Sequence, residues 1–170
     1  MKGIYIGVGS NIDPAENVKE ALRLLAERVR IVGISTFFES EPLGRPEQPA
    51  FYNGVLEIDT DIPARALKFE VLRSIEAKLG RRRIADKFAA RTIDLDVIIY
   101  GDLVIDEEDL TIPDPDILER AFLAVPLLEL APDLTLPGSG RLLKEICEML
   151  DCGGMKPLRT YSRELLEEMR

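Results

Sequence analysis

Apolar and polar positions follow one another along this chain in blocks that change period. Ile4 to Val8 is apolar and β-favouring and predicts a first strand. Over 13–29, Val18, Ala21, Leu22, Leu25 and Val29 recur at helical spacing. Pro14 suits an early position in that helix, and Asp13 is a candidate N-cap. Ile31 to Phe38 predicts a second strand. Residues 39–50, with three prolines and one glycine, predict a loop. Phe51 to Ile58 predicts a third strand. Ile62 to Leu79 predicts a long helix, with Leu67, Val71, Ile75 and Leu79 on one stripe and Gly80 as its stop. The stretch RTIDLDVIIY, Arg91 to Tyr100, predicts a fourth strand.

The order is βαββαβ. It predicts an α+β, ferredoxin-like sandwich, with helices on one face of a mainly antiparallel sheet. The loops before Phe51 and before Asp94 are then expected on the other side or at the sheet's end. Beyond Gly101 the pattern gives loops, then a helix from about Leu142 to Leu150 and a helix-like end, LLEEMR. With no repeat, linker or low-complexity stretch, a single domain is expected over 1–152. A part-helical tail, either docked or frayed, follows over 153–170.

Composition narrows the class. The chain is 46% apolar and 31% charged, which fits a folded domain rather than a disordered one. No apolar run approaches the ~18 residues of a membrane span. The apolar start is too short for a signal peptide, so the cytoplasm is the expected compartment. A net charge of −9 argues against nucleic acid as a partner. The absence of histidine removes Ser-His-Asp and Cys-His catalysis and argues against zinc. Cys147 and Cys152 have no metal-like pairing, and Cys147 reads as a small core residue.

Three constellations carry chemistry. Asp94 and Asp96 lie two apart on a strand, so both carboxylates point to one face, where two like charges about 7 Å apart need a cation. Spacing alone leaves two readings open: a divalent metal, or pairing with arginines such as Arg91. Just before them, residues 81–91 hold Arg81, Arg82, Arg83, Lys87 and Arg91 against the single acid Asp86. Arginine forks beside a metal form the usual clamp on a phosphoryl group, so the combination points to phosphoryl transfer or hydrolysis. Phe51 and Asn53 share a strand face and, with Phe122, could stack on and hydrogen-bond a flat heterocycle; singly, the two phenylalanines read as core. GVGSN after the first strand fails the dinucleotide fingerprint, because Ile12 stands where the third glycine is needed, and reads as a tight turn.

These motifs, in order, resemble the 6-hydroxymethyl-7,8-dihydropterin pyrophosphokinase family. The resemblance rests on GSN at 9–11, ESEPLGRPEQPAFYNGV at 39–55, GRRR and ARTIDLDVIIYG at 80–101, and IPDPDILERAFLAVPLLELAP at 112–132. It implies transfer of pyrophosphate from ATP to the reduced pterin alcohol, with AMP leaving. It implies that Asp94 and Asp96 hold two Mg²⁺ ions and that Arg81 and Arg91 act on the phosphates. Glu76, Arg83, Val97, Thr111, Asp114 and Arg120 would line the ATP site. Phe51 and Phe122 would sandwich the pterin, and Asn53 would read its edge beside Ser40, Pro42, Leu43 and Gly44. The loops 40–50 and 81–91 would close over the substrates. A monomer is expected.

Three positions depart from the family's usual residues. Asp114-Pro115 replaces a histidine beside proline, Ala89-Ala90 replaces Gly-Pro, and Phe88 stands where tryptophan is common. Asp114 and the missing histidine leave one alternative, a weak or inactive relative that binds nucleotide or a partner. A transferase for a modified pterin is another, since Phe51, Asn53 and Phe122 constrain the ring but barely its substituents.

Overall fold

The computed structural model describes residues 3–170. The sheet is built from β1 (Ile4–Ser10), β2 (Arg30–Ile34), β3 (Phe38–Ser40), β4 (Phe51–Asp59), β5 (Asp94–Tyr100) and a two-residue strand β8 (Lys156–Pro157). The strands run in the order β5-β1-β4-β3-β8, and β2 shares with β3 the far edge of β4. Every pairing is antiparallel. With β2 and β3 counted as one broken strand, this is the ferredoxin-like arrangement that βαββαβ predicts. The remaining elements are α1 (Pro14–Ala26), a small hairpin β6 (Ile105–Glu107) and β7 (Leu110–Ile112), α3 (Ala121–Leu130), α4 (Leu143–Met149) and α5 (Arg159–Glu168). The long helix α2 runs through Ala64–Ala66, a π-helical stretch Leu67–Leu72, and Arg73–Lys78. No helix among the described residues is long and apolar enough to cross a membrane.

Helices cover both faces of the sheet rather than one. On the first face Ile4, Ile6, Val8, Leu56, Ile58, Leu95 and Val97 pack with the apolar stripes of α1 and α2 and with Leu165 of α5. On the second, Tyr5, Val55, Ile98 and Ile99 pack with Leu123, Ala124 and Leu127 of α3 and Leu143 and Ile146 of α4. Ile98 and Ile99 are consecutive yet share one core because the β1–β5 register slips there: Tyr5 pairs with Ile99 and Ile6 with Val97. β5 thus commits its second face to carboxylates at one end and to a second core at the other.

Several boundaries differ from those the pattern predicts. The strand expected over 31–38 is broken at 35–37. There the Ser35 N–H donates to the Val55 carbonyl, and the Val55 N–H donates to Ser35 Oγ, both at 2.9 Å. The Thr36 N–H and hydroxyl donate to the Glu129 carboxylate of α3. Phe37 turns into the first core above Gly54, where an added Cβ would lie 2.6 Å from its ring. Glu39 and Ser40, expected in a loop, belong to β3. The fourth strand starts at Asp94, because the Arg91 N–H and C=O are bonded to Asn11 instead of to a ladder. Asp13 stands at the N-cap of α1 with φ 42° and its side chain makes no cap bond. Its carbonyl instead accepts the Asn17 N–H at 2.9 Å. The hairpin β6–β7 and helix α3 lie in the region expected to be loop. α3 (AFLAVPLLEL) is apolar nearly all round, so it shows no helical period.

Candidate active site

The site is the part of the second sheet face that α3 leaves uncovered. Across three strands, Asn53 of β4, Gly9 of β1 and Asp94 of β5 stand in one row; in the next row Gly7 faces Asp96. The glycines are its floor. A Cβ on Gly9 would lie 2.9 Å from Asn53 Oδ1, and one on Gly7 would lie 3.0 Å from Leu123. Phe122 and Leu123, at the start of α3, form one wall together with Arg120. The result is a cleft of about 400 Å³ lined by Ser40, Leu43, Phe51, Asn53, Phe88, Arg91, Asp94, Asp96, Asp114, Arg120 and Phe122 among others. A second cavity of about 210 Å³ is lined by Lys68, Asp96, Val97, Leu110, Thr111, Asp114 and Pro115. Asp96 and Asp114 line both, so the two cavities meet at that acidic pair.

Charge is unevenly matched across this face. Arg91 Nη1 donates to Asp94 at 2.8 Å, so the arginine pairing expected from sequence is made by Asp94. The same guanidinium lies 5.8 Å over the Phe51 ring, within cation–π range. Asp96 has no hydrogen-bond donor among the described residues. Burial first, then the carboxylates of Asp94, Asp114 and Glu76, push its carboxyl well above the usual range, with Arg83 opposing. Asp114 is pushed up to about 6, chiefly by burial; the Asp116 N–H, which donates to it at 2.9 Å, opposes that shift. This bond caps the short turn Pro115–Leu118, so Asp114 has a structural duty besides its place in both cavities.

The basic segment divides in two. Arg91, Lys87 and Phe88 line the first cleft. Arg81 lies beside it, under the influence of Asp94 and Arg91, with its Nε buried and unpartnered. Burial, reinforced by Arg91 and Arg83, lowers its pKa. Arg83 lines neither cavity and donates to Glu76 at 2.7 Å. Glu76 is buried beneath β5 and accepts the Leu95 N–H at 3.4 Å; burial and then Asp94 raise its pKa. Pro42 and Gly44 are likewise outside the cleft lining. Gly44 instead packs under the Phe88 ring, 3.5 Å from where a Cβ would stand. Arg45 pairs with Asp86, and Gln48 Nε2 donates to the Phe88 carbonyl at 3.0 Å, so loops 41–50 and 81–91 hold each other.

GSN at 9–11 does more than turn the chain. Ser10 Oγ donates to the Thr92 carbonyl at 2.6 Å. Asn11 Oδ1 accepts the Arg91 N–H at 2.8 Å, and its Nδ2 reaches Gln48 and the Pro49 carbonyl. The buried pair thereby ties β1 to both loops. Its signal in the sequence was two polar residues directly after an apolar strand. Gly7 and Gly9 had a signal too, two apart on one strand face. Lys87 belonged to the basic segment read from the sequence, whereas Lys68 and Asp116 carried no signal beyond their charge.

The donor set fits a hard divalent cation. Among the described residues no three His, Cys, Asp or Glu side chains form a metal cage. Two carboxylates, one without a donor among the described residues, match a Mg²⁺ that fills its shell with substrate phosphates and water. Phe51 and Phe122 both line the first cleft, and their rings make no ring–ring contact with each other among the described residues.

Residues 5–132 match the family model for 7,8-dihydro-6-hydroxymethylpterin-pyrophosphokinase (HPPK). The chain is 38% identical over 150 residues to the 2-amino-4-hydroxy-6-hydroxymethyldihydropteridine pyrophosphokinase of Haemophilus influenzae, covering 86% of this chain and 92% of that one. It is 35% identical over 162 residues to the folic acid synthesis protein fol1 of Pneumocystis carinii, where it spans 94% of its own length but 22% of the relative's. In fold it is similar to Plasmodium falciparum HPPK-DHPS, with a TM-score of 0.67 at 13% identity over 87% of this chain and 43% of that one.

Proposed function

The chain belongs to the HPPK family, and from that premise we propose that it transfers a pyrophosphoryl group from ATP to 6-hydroxymethyl-7,8-dihydropterin. The observation that carries this reading is the row across β4, β1 and β5, in which Asn53, Gly9 and Asp94 stand side by side between Phe51 and Asp96. It sets a slot for a flat heterocycle beside a pair of carboxylates, as joining a pterin to a polyphosphate requires.

Phe51 and Phe122 take the pterin ring between them, and Asn53 reads its edge. Asn53 Nδ2 already donates to Ser40 Oγ at 2.9 Å, which fixes how the amide is presented. The pterin hydroxymethyl oxygen attacks the β-phosphorus in line, and AMP leaves. Asp94 and Asp96 would hold two Mg²⁺ ions, whose chemistry there is to neutralise phosphate charge and lower the hydroxyl pKa. Arg91, between Asp94 and Phe51, reaches the seam where the two substrates meet, and Arg81 offers an unpartnered Nε beside it. Val97 and Thr111, with Lys68, belong to the nucleotide's cavity. No strong base is required for a loose phosphoryl transition state. The paired loops 41–50 and 81–91 exclude water and favour transfer over hydrolysis.

The test is to incubate the protein with ATP, Mg²⁺ and the reduced pterin alcohol. AMP should form only when all three are present. ADP as the product, or ATP bound with no turnover, contradicts the proposal; the second outcome marks a nucleotide-binding relative instead.

A further inference from the structure

The break between β2 and β3 is closed from three sides, and one of them is the C-terminal segment, which lies beyond the residues the family model matches. Ser35 is bonded to Val55 and Thr36 to Glu129. Phe37, fully buried, has both backbone groups bonded to the tail. Its N–H donates to Ser162 Oγ at 2.7 Å, and its carbonyl accepts the Leu158 N–H at 2.8 Å. Ser162 Oγ is itself held, donating to the Leu158 carbonyl at 2.7 Å. The Tyr161 ring meets Phe37 edge-on at 6.2 Å and Tyr52 at 5.3 Å, and its hydroxyl donates to the Ala15 carbonyl at 2.8 Å. β8 then pairs with β3, Pro157 opposite Phe38 and Lys156 opposite Glu39.

The consequence runs along β3. The residue after Phe37 pairs with Asn53, and two residues further Ser40 pairs with Phe51. β3 is three residues long, too short to fix its own register. A buried N–H and carbonyl need partners, and at Phe37, among the described residues, the tail supplies both.

We propose that the C-terminal segment 156–168 is a positioning element for the pterin side of the site: it acts through Phe37 to hold β3, and thereby the Ser40–Asn53 hydrogen bond. The proposal rests on the functional reading above for its substrate, but not for its structural content. Weakening a tail that serves only global stability lowers the melting temperature and leaves the balance between the two substrates unchanged. A positioning tail acts on one substrate alone.

Ser162→Ala removes the acceptor for the Phe37 N–H from an otherwise intact helix, and Ser162→Thr keeps a hydroxyl there. Ile146→Val, in the opposite core, controls for general destabilisation. Two readouts are taken on each variant: steady-state kinetics for both substrates, and amide hydrogen exchange across 37–40 and 51–53. For Ser162→Ala the KM for the pterin alcohol should rise about tenfold, the effect of one lost buried hydrogen bond, with kcat and the ATP KM unchanged. Exchange should accelerate at those two segments, and Ser162→Thr should restore both readouts. An unchanged pterin KM, or equal losses for both substrates, overturns the proposal. So does unchanged exchange at those segments, a result that holds even if the parent protein proves to make no AMP.

Discussion

Asp94 and Asp96 share a strand face but keep different company. Asp94 is held by Arg91, whereas Asp96 is repelled by the carboxylates of Asp94, Asp114 and Glu76, with Arg83 as the weaker counterweight. Asp94→Ala and Asp96→Ala should each lower Mg²⁺-dependent turnover by about a thousandfold or more, since each removes a proposed metal ligand. Asp96→Ala should keep or raise the melting temperature, because it removes a buried and repelled charge. Near-parental turnover in either variant would remove the metal assignment. Asp114 allows a second test. Its carboxyl moves from 3.8 to about 6 on folding, mainly through burial. Between those values the folded chain holds a proton that the unfolded chain has lost, so this group's stabilisation is present at low pH and is lost as pH rises through the window. Asp114→Asn keeps an acceptor for the Asp116 N–H and removes the titration. Urea unfolding should show the variant gaining about 1–2 kcal/mol on the parent between about pH 4 and pH 7, after allowance for partial exposure. A difference that does not change with pH would contradict the assignment. At this scale the sequence was legible wherever a residue acts by its own chemistry: Asp94, Asp96, Phe51, Asn53 and Arg91 announce themselves by type and spacing. Gly7 and Gly9 showed only their spacing of two on one strand face, because their contribution is the side chain they lack.

At the scale of elements, local pattern fails where distant partners decide. Thr36 and Phe37 are β-favouring, yet the strand breaks there because Val55, Glu129 and Ser162 bond its backbone from three other parts of the chain. In α2 the stripe Leu67, Val71, Ile75 and Leu79 has a constant spacing of four, which drifts about 40° per step around an ordinary α-helix. The π-helical stretch at Leu67–Leu72 takes up part of that drift, so the clue was present in the spacing. The join at Phe37 also makes a prediction. Gly54→Ala would place a methyl 2.6 Å from a ring that is fully buried and has no room to retreat. Unfolding in urea should show a loss of about 1–3 kcal/mol. A loss below about 0.5 kcal/mol would mean that Phe37 does not need the glycine.

At the scale of the molecule, the sheet separates two duties along each central strand. One face is core throughout. The other is core under α3 and α4 and becomes the site beyond α3, so Asp94 and Asp96 lead directly into Ile98 and Ile99. The βαββαβ order was legible because α1, α2 and the long strands each show one period. The second helical layer was not, since α3 is apolar on nearly every side. This layout brings the aromatic slot and the carboxylate pair within one cleft, where, on the function proposed above, they serve a single transfer between two substrates. ATP labelled separately at its β- and γ-phosphorus measures this most directly. Incubated with protein, Mg²⁺ and the reduced pterin alcohol, both labels should appear together on the pterin, one for each AMP released. Only the γ-label on the pterin with ADP left behind, or both labels in free phosphate, would contradict it.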